Sequence, residues 1–225
     1  ESTTNNAIKQ NLNGIKKISK ERILIELYKI LNLKNFVNLN ENIYLREIFT
    51  IIFPEFENLD RLKRLVKICD HSQITKELLL AILLIDEKNS HEYFIHKYNT
   101  SNNTKDYLDL VAKNLDLLKE NKDFLSKDLE KNIYLNGKKL LIDLNICKYV
   151  IDKKYKTKDF SENLKRILKS KVHKFKIDGK YLMDIGMEQG ALMGKVLKKI
   201  EEEWIKNNFK ITKDQIKEIV KSNSN

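Results

Sequence analysis

The residues best suited to chemistry in this sequence are lysines near its C-terminal end, because ammonium groups bind phosphate. One group precedes a predicted helix and a second lies on it: Lys171, Lys174, Lys176 and Lys180, then Lys195, Lys198, Lys199 and Lys206. The apolar residues of that helix, from Met193 to Trp204, repeat at helical spacing, so the lysines lie off its buried stripe. Free N–H groups at the helix N-terminus after Gly190 could also bind phosphate. The alternative for each single lysine is an ordinary solvated side chain, so the prediction concerns the cluster.

Other patterns that would indicate catalysis or metal binding are incomplete. His91 and His96 are five positions apart, whereas the zinc motif H-E-x-x-H needs four for one helical face. The Asp70-His71 pair has no second His/Asp set at a suitable distance for a phosphohydrolase. No phosphate-binding G-x-x-x-x-G-K-[ST] loop occurs. The glycine-rich segment 186–194 lacks the preceding strand of a dinucleotide site. We therefore predict no metal ligand and no catalytic residue in this sequence.

The charge of the sequence favours a polyanionic partner without proving one. The formal net charge is +11, from 43 basic and 32 acidic residues, and such an excess is typical of nucleic-acid binding. Nearly all of the basic residues are Lys, and Asn is frequent, a bias that an AT-rich genome produces whatever the function. Both explanations stay open until position is considered.

The elements that must position these lysines are predicted to be helices, in an all-α, irregular multi-helix array. Six Gly and one Pro are too few for a turn-dense β fold, and the stretches rich in Leu, Ile, Lys and Glu favour helices. Ser19 and Thr75 are suited to N-caps, and Pro54 ends a helical pattern. Thr212 and Gln215 fit a capping box for a last helix.

The sequence predicts a protein of the cytoplasm without a membrane span. No run of eighteen apolar residues occurs, which is the length that a membrane helix requires. Cys69 and Cys147 are expected to be reduced, packed thiols. A charged, linker-like patch from Lys154 to Lys158 marks a possible boundary between domains.

Three glycines at a spacing of four, Gly186, Gly190 and Gly194, lead directly into the helix that carries Trp204, the single tryptophan. Glycine at such positions usually indicates a positive φ or a close approach of backbones. We therefore expect a compact turn ahead of this helix.

The segment 178–209 resembles the C-terminal segment of the bacterial tRNA nucleotidyltransferase and poly(A) polymerase family. The family pattern is G-x-x-L-x-x-x-G-x-x-x-G-x-x-x-G, followed by a helix that ends in E-x-x-W-I-x-x-x-F. The matching positions are Gly179, Leu182, Gly186, Gly190, Gly194, Glu201, Trp204, Ile205 and Phe209. The family often has proline around the second glycine, where this chain has Gln189 and Ala191.

A second segment, 18–31, resembles the neck helix of the same family, I-S-x-E-R-I-x-x-E-L-x-K-I-L. From this resemblance Glu21, Arg22 and Glu26 are expected to support the nucleotide pocket. Glu21 lies in the first turn, where the helix dipole favours an acid, and Arg22 and Glu26 can pair one turn apart. The alternative is an ordinary capped amphipathic helix with a surface ion pair. A weaker third match is the IFPEF string at 52–56.

The resemblance implies three segments: residues 1–58 as the end of the neck and start of the body, 59–155 as the helical body, and 156–225 as the tRNA-holding tail. In class II members of the family, an N-terminal head carries two acidic residues that bind Mg²⁺. This sequence has neither that acidic pair nor the base-selecting Glu-Asp-x-x-Arg motif. It is therefore expected to lack the catalytic head, to need no cofactor itself, and not to transfer nucleotides alone.

The partner implied by the resemblance is tRNA or another structured RNA, held at its elbow by shape and backbone charge. The residues expected to bind RNA are Lys174, Lys176, Lys180, Gly190, Gly194, Lys195, Lys198, Lys199 and Lys206. Addition of CCA, CC, A alone or a poly(A) tail is not distinguished. The competing interpretation is a stand-alone helical module that binds RNA or protein and has no enzymatic role.

Overall fold

Every regular element in residues 11–70 and 74–223, which the computed structural model describes, is helical. The α-helices are α1 (Lys20–Leu31), α2 (Ile43–Ile52), α3 (Leu62–Leu65), α4 (Lys76–Leu84), α5 (Ser90–Tyr98), α6 (Asn102–Glu120), α7 (Leu129–Ile151), α8 (Thr157–Lys169), α9 (Gly179–Asp184), α10 (Ala191–Lys206) and α11 (Lys213–Asn223). Short 3₁₀ helices span Leu12–Lys17, Phe36–Glu41 and Leu59–Arg61. The all-α prediction is confirmed. Within these ranges no helix is both long and apolar enough to cross a membrane.

The predicted helix caps are present. The Ser19 and Thr75 hydroxyl oxygens each accept a hydrogen bond from the backbone N–H three residues later, at 3.3 and 3.2 Å. The Thr212 N–H donates to the Gln215 side chain at 2.9 Å, and the Gln215 N–H donates back to the Thr212 hydroxyl at 3.2 Å. Local side-chain chemistry therefore sets where α1, α4 and α11 begin.

The ion pair on α1 differs from the predicted one. Glu26 contacts Lys29, at 2.8 Å between Oε1 and Nζ, and does not pair with Arg22. An acid that precedes its basic partner along a helix is oriented better than the reverse order, because both charges then complement the helix dipole. Arg22 precedes Glu26, and Lys29 follows it.

The larger of the two buried cores formed by the described residues surrounds α4. All residues from Leu78 to Leu84 are buried, and α4 contacts α1, α5, α6 and α7. A helix that is apolar on every side must be enclosed, so this run determines that the other helices pack around it. Helix α8 belongs to the same core through Phe160 and Ile167.

Two arginines connect α3 and the preceding 3₁₀ turn to the rest of this core. Arg61 donates to the carbonyl oxygens of Ile82 and Ile85 at 2.6 and 2.8 Å. Arg64 donates to the carbonyl oxygen of Tyr149 at 2.7 Å. Both cations lie at helix C-termini, where the dipole favours positive charge and the last carbonyls need donors.

The charged patch from Lys154 to Lys158 spans the turn after α7 and the start of α8, and Tyr155 anchors it to the main core. Its lysines are exposed, but Tyr155 between them is buried and donates to Asn145 Oδ1 at 2.7 Å. Asn145 in turn donates to the carbonyl oxygen of Phe160 in α8 at 3.0 Å. This buried network holds α8 against α7. The three-segment division at residues 58 and 155 stays a prediction.

A second, smaller core lies in the tail. It contains Leu182 and Met187 from α9 and the turn after it, and buried residues of α10 and α11. The sequence predicted a buried stripe on α10 of Met193, Val196, Leu197, Ile200 and Trp204. All of these are buried except Leu197, which is half-buried against the same core.

Only Gly186 among the three evenly spaced glycines has the predicted backbone geometry. Its φ is +96°, its N–H donates to the Met183 carbonyl at 2.9 Å, and the Met187 N–H donates to the Leu182 carbonyl at 3.0 Å. These bonds form a Schellman motif that ends α9, with glycine at the position that favours positive φ.

For Gly190 and Gly194 the expectation of positive φ or close approach was wrong. Gly190 is extended at φ 174° and precedes α10, and Gly194 lies within α10. A Cβ added to either would meet no atom within 4 Å. The close approach occurs at Gly179 instead, where an added Cβ would lie 2.9 Å from the Met193 Sδ.

We predict opposite effects of alanine at Gly186 and Gly194. Gly186→Ala should lower the free energy of unfolding by about 1–2 kcal/mol, because an L-residue is strained at positive φ. Gly194→Ala is the matched control and should raise it by up to about 1 kcal/mol, since alanine favours a helix interior. Urea unfolding followed by circular dichroism measures both. Equal stability of the two variants would contradict this account of the turn.

Candidate nucleic-acid interface

An extended segment, 171–178, connects α8 to α9 and presents two different faces. The half-buried residues are His173, Phe175 and Ile177. They alternate with the exposed residues Val172, Lys174 and Lys176. Side chains alternate in direction along an extended backbone. One short segment therefore supplies both an apolar inner face and a row of outward lysines.

The inner face packs into a ring cluster centred on Trp204 of α10. The Trp204 ring lies 5.3 Å from the Phe175 ring, 4.9 Å from that of Phe209 and 5.3 Å from that of Tyr134. His173 stacks on Phe209 with the two rings 3.7 Å apart and nearly parallel, at 9°. Since Tyr134 belongs to α7 and the other four belong to the tail, this ring cluster joins the tail to the body.

Two polar contacts accompany the ring cluster. His173 Nε2 lies 2.6 Å from the Glu130 Oε2, and the Tyr134 hydroxyl donates to the Glu201 carboxylate. Burial, together with this hydrogen bond to Glu201, raises the pKa of Tyr134 to about 12. Each contact pairs one residue of α7 with one residue of the tail.

The C-terminal end of α10 places the Phe209 ring in this cluster. The Phe209 N–H donates to the Trp204 carbonyl at 2.8 Å and the Asn208 N–H to the Ile205 carbonyl at 3.2 Å, which is a second Schellman motif. Asn208 and Phe209 have φ of +53° and +62°. A left-handed conformation costs an aromatic residue about 1 kcal/mol or more, and the ring contacts of Phe209 offset that cost.

Beside the ring cluster lies a groove of about 730 Å³, which we name the tail groove. Its aromatic residues are Phe175, Tyr181, Trp204 and Phe209, together with His173. Among the described residues that line it, every Lys, Arg, Asp or Glu is a lysine: Lys171, Lys174, Lys176, Lys210 and Lys213. All five lysines are exposed. The tail groove therefore combines an aromatic floor with a rim of one charge sign.

A larger cleft of about 1100 Å³ in the body has a different character. Its described lining, which includes Arg61, Asp86, Lys113 and Asp116, carries seven basic and seven acidic side chains. Opposite charges in equal number leave no net attraction for a polyanion. The tail groove, though smaller, is the stronger candidate for nucleic acid.

The lysines predicted on α10 form a separate surface. At about 100° per residue, Lys195 lies half a turn from Trp204, and Lys198, Lys199 and Lys206 are exposed on the same outward side as Lys195. Lys199 donates to the Asn223 side chain and Lys206 contacts Glu203 at 3.7 Å. Within the described ranges, Lys195 and Lys198 have no ion-pair partner.

The predicted RNA-binding set therefore divides into two faces of the tail. Lys174 and Lys176 line the tail groove, whereas the α10 lysines point away from Trp204. Lys180 is exposed on α9, and the space outside Gly190 and Gly194 is open. The sequence prediction omitted Lys210, Lys213 and the ring floor. The Lys-Phe-Lys alternation at 174–176 could have indicated that Phe175 faces inward between outward lysines, but it carries no information about Lys210 and Lys213.

The residues predicted to support a nucleotide pocket are exposed on α1. Glu21, Arg22 and Glu26 all have solvent-exposed side chains. Hydrogen bonds from its own backbone N–H and from Ser19 hold the pKa of Glu21 below its usual value. Across residues 11–70 and 74–223, no group of three or more His, Cys, Asp or Glu side chains could hold a metal ion.

Tyr134 gives a pH test of the contact between body and tail. Its folded-state pKa of about 12 lies above the usual value near 10. The neutral phenol therefore stabilises the folded state below pH 10, and this contribution is lost as the pH rises from about 10 to 12. Between about pH 10 and 12 the free energy of unfolding of the wild type should therefore fall more than that of Tyr134→Phe. Urea titrations of both proteins at several pH values measure this difference. A constant difference would show that the Tyr134 hydroxyl does not act in this way.

Comparison with known families agrees with the two segments singled out from the sequence. Residues 1–59 match the family model described as "Probable RNA and SrmB- binding site of polymerase A". Residues 69–220 match the model described as "tRNA nucleotidyltransferase domain 2 putative". A comparison with curated proteins gave no match. Since the second match alone spans more than half of the 225 residues, the chain belongs to the tRNA nucleotidyltransferase and poly(A) polymerase family.

Proposed function

We propose that this chain is the tRNA-holding part of a class II enzyme that extends RNA 3′ ends without a template. The observation that carries the proposal is the tail groove, where five lysines surround an aromatic floor. It lies within residues 69–220, which match the nucleotidyltransferase model. Phosphate contacts of this kind position a nucleic acid without reading its sequence.

In this proposal the chain binds RNA and a separate head domain performs the chemistry. The head would hold Mg²⁺ on two acidic residues, so that the metal positions the triphosphate and activates the RNA 3′-hydroxyl. The sequence of this chain contains neither those acids nor the base-selecting motif. Glu21, Arg22 and Glu26 on α1 would support the nucleotide pocket from the neck side.

The nucleotide added is determined in the head, so addition of CCA to tRNA and of poly(A) are both compatible with this chain. We also propose that the protein acts in the cytoplasm. The two lysine faces of the tail suit a folded RNA such as tRNA, because its phosphates lie on a curved surface that can contact both faces.

A second candidate is a helical RNA-binding or protein-interaction module without catalysis. One observation favours it: α2 buries Ile48 and Phe49, yet its apolar residues Ile43, Tyr44 and Ile51 are 76, 54 and 51% exposed. Such a face usually marks an interaction site. It lies within residues 1–59, whose family description names a binding site for RNA and SrmB.

The outward lysines of α10 provide the first test. Charge reversal of Lys195, Lys198 and Lys199 together should weaken tRNA binding and flatten its salt dependence. The slope of log K against log[salt] should fall by about 1 for each lysine–phosphate interaction that the substitutions remove. A filter-binding titration at several salt concentrations measures both quantities.

A control variant has the same net charge as the α10 variant, but its three charge reversals lie on the body. It reverses Lys105, Lys113 and Lys122, which are exposed on and just after α6 and line the mixed-charge cleft. It should retain the wild-type salt slope. An equal decrease of affinity in the two variants would show that total charge alone governs binding, and an unchanged tail variant would exclude contact through α10.

Nucleotide incorporation distinguishes the two candidate functions. The intact protein with its head should incorporate radiolabelled nucleotides into tRNA that lacks its 3′-terminal CCA, when Mg²⁺ is present. The 225-residue chain alone should bind tRNA without labelling it. Absence of labelling by the intact protein would favour the non-catalytic module.

A further inference from the structure

We propose that the tail groove binds an unpaired RNA base, which stacks on the aromatic floor while its flanking phosphates contact the lysine rim. The inference rests on the proposed function, since it takes RNA as the ligand. The charge of the tail groove by itself predicts only phosphate binding, and the inference adds a contact with an RNA base.

The first argument is the chemistry of the floor. Phe175, Tyr181, Trp204 and Phe209 all line the tail groove, and phosphate contacts require no ring. Aromatic side chains attract the flat face of a nucleobase whatever its identity, and each stacked base strengthens binding about five- to a hundredfold. The combination of rings with a basic groove is the arrangement that binds single-stranded nucleic acid.

The second argument is the geometry of the base that can enter. In an A-form helix each base face is covered by its neighbours, so only loops, bulges and ends offer a face for stacking. At about 730 Å³ the groove lies within the range of small-molecule sites, roughly 300–1,000 Å³. It therefore suits a splayed-out nucleotide and not a duplex.

The third argument is preorganisation. The floor rings are held before any ligand binds, by the contacts of Trp204 with Phe175, Phe209 and Tyr134 and by that of His173 with Glu130. A preformed floor avoids the entropy cost of ordering side chains on binding. The exposed lysines remain free to follow the phosphates of different RNAs.

Trp204 makes the proposal directly measurable, because it is the single tryptophan and lines the tail groove. A short oligoadenylate should quench its fluorescence by stacking nearby. Inorganic polyphosphate of similar charge should compete for the lysines without this quenching. Polyglutamate serves as an acidic-peptide probe and should behave like polyphosphate.

Two substitutions at Phe175 separate stacking from packing. Phe175→Leu should weaken oligoadenylate binding about five- to a hundredfold with an unchanged salt slope, and Phe175→Tyr should retain affinity. By contrast, Lys174→Gln with Lys176→Gln should lower the salt slope by about 2 while quenching at saturation persists. Circular dichroism and urea unfolding check that each variant is folded.

The outcomes distinguish this inference from the proposed function. If tRNA binds but oligoadenylate does not quench Trp204, or Phe175→Leu binds it like wild type, the base contact is refuted and the proposed function stands. Equal quenching by polyglutamate would assign the groove to an acidic peptide and refute the inference. Failure of tRNA itself to bind would refute both. The quenching experiment uses wild-type protein, so misfolding of a variant leaves the test intact.

Discussion

The part of the tail after α8 contacts the body through one cluster of rings around Trp204, whereas α8 itself packs in the main core. The two parts have separate buried cores, and the indole meets Tyr134 of α7 on one side and the tail rings on the other. The tail rings of this cluster, Phe175, Trp204 and Phe209, also line the tail groove. Attachment of the tail and the shape of its groove are therefore consequences of a single set of contacts, so a change that loosens one disturbs the other.

The body supplies its side of this contact through a break in α7. Gly137 has φ +80° and ψ 154°, which is not helical, and it lies three residues after Tyr134. The part of α7 after the break packs in the main core beside α4 and α8. The part before it contributes Glu130 and Tyr134 to the contacts with the tail, while Leu129 and Ile133 of the same part are buried in the main core. Glycine permits this positive φ without strain, and one helix can thus serve both the body core and the tail.

Family membership and groove chemistry describe the tail at different levels. The family match covers α4 to α11 without distinguishing individual side chains, whereas the groove separates two lysine faces that look like one cluster in the sequence. Lys174 and Lys176 line the tail groove together with the rings, and Lys195 and Lys198 lie on the outward face of α10. A folded RNA held by both faces would contact the tail with its phosphates on one side and with an exposed base on the other.

The sequence by itself determined the helical class, the caps at Ser19, Thr75 and Thr212, and the buried stripe ending at Trp204, because each depends on residues within a turn or two of one another. The family was also readable, since its motifs are local strings. The floor of the tail groove was not, because Phe175, Tyr181 and Phe209 come from the extended segment, from α9 and from the turn after α10. The role of Gly190 and Gly194 was misjudged for a related reason. The spacing of glycines suggests a turn, but the φ angle of each glycine and its distance to neighbouring atoms depend on the tertiary structure around it. Only the tertiary structure decided which lysines share a surface with the rings, since that requires the extended segment, α10 and α11 to meet.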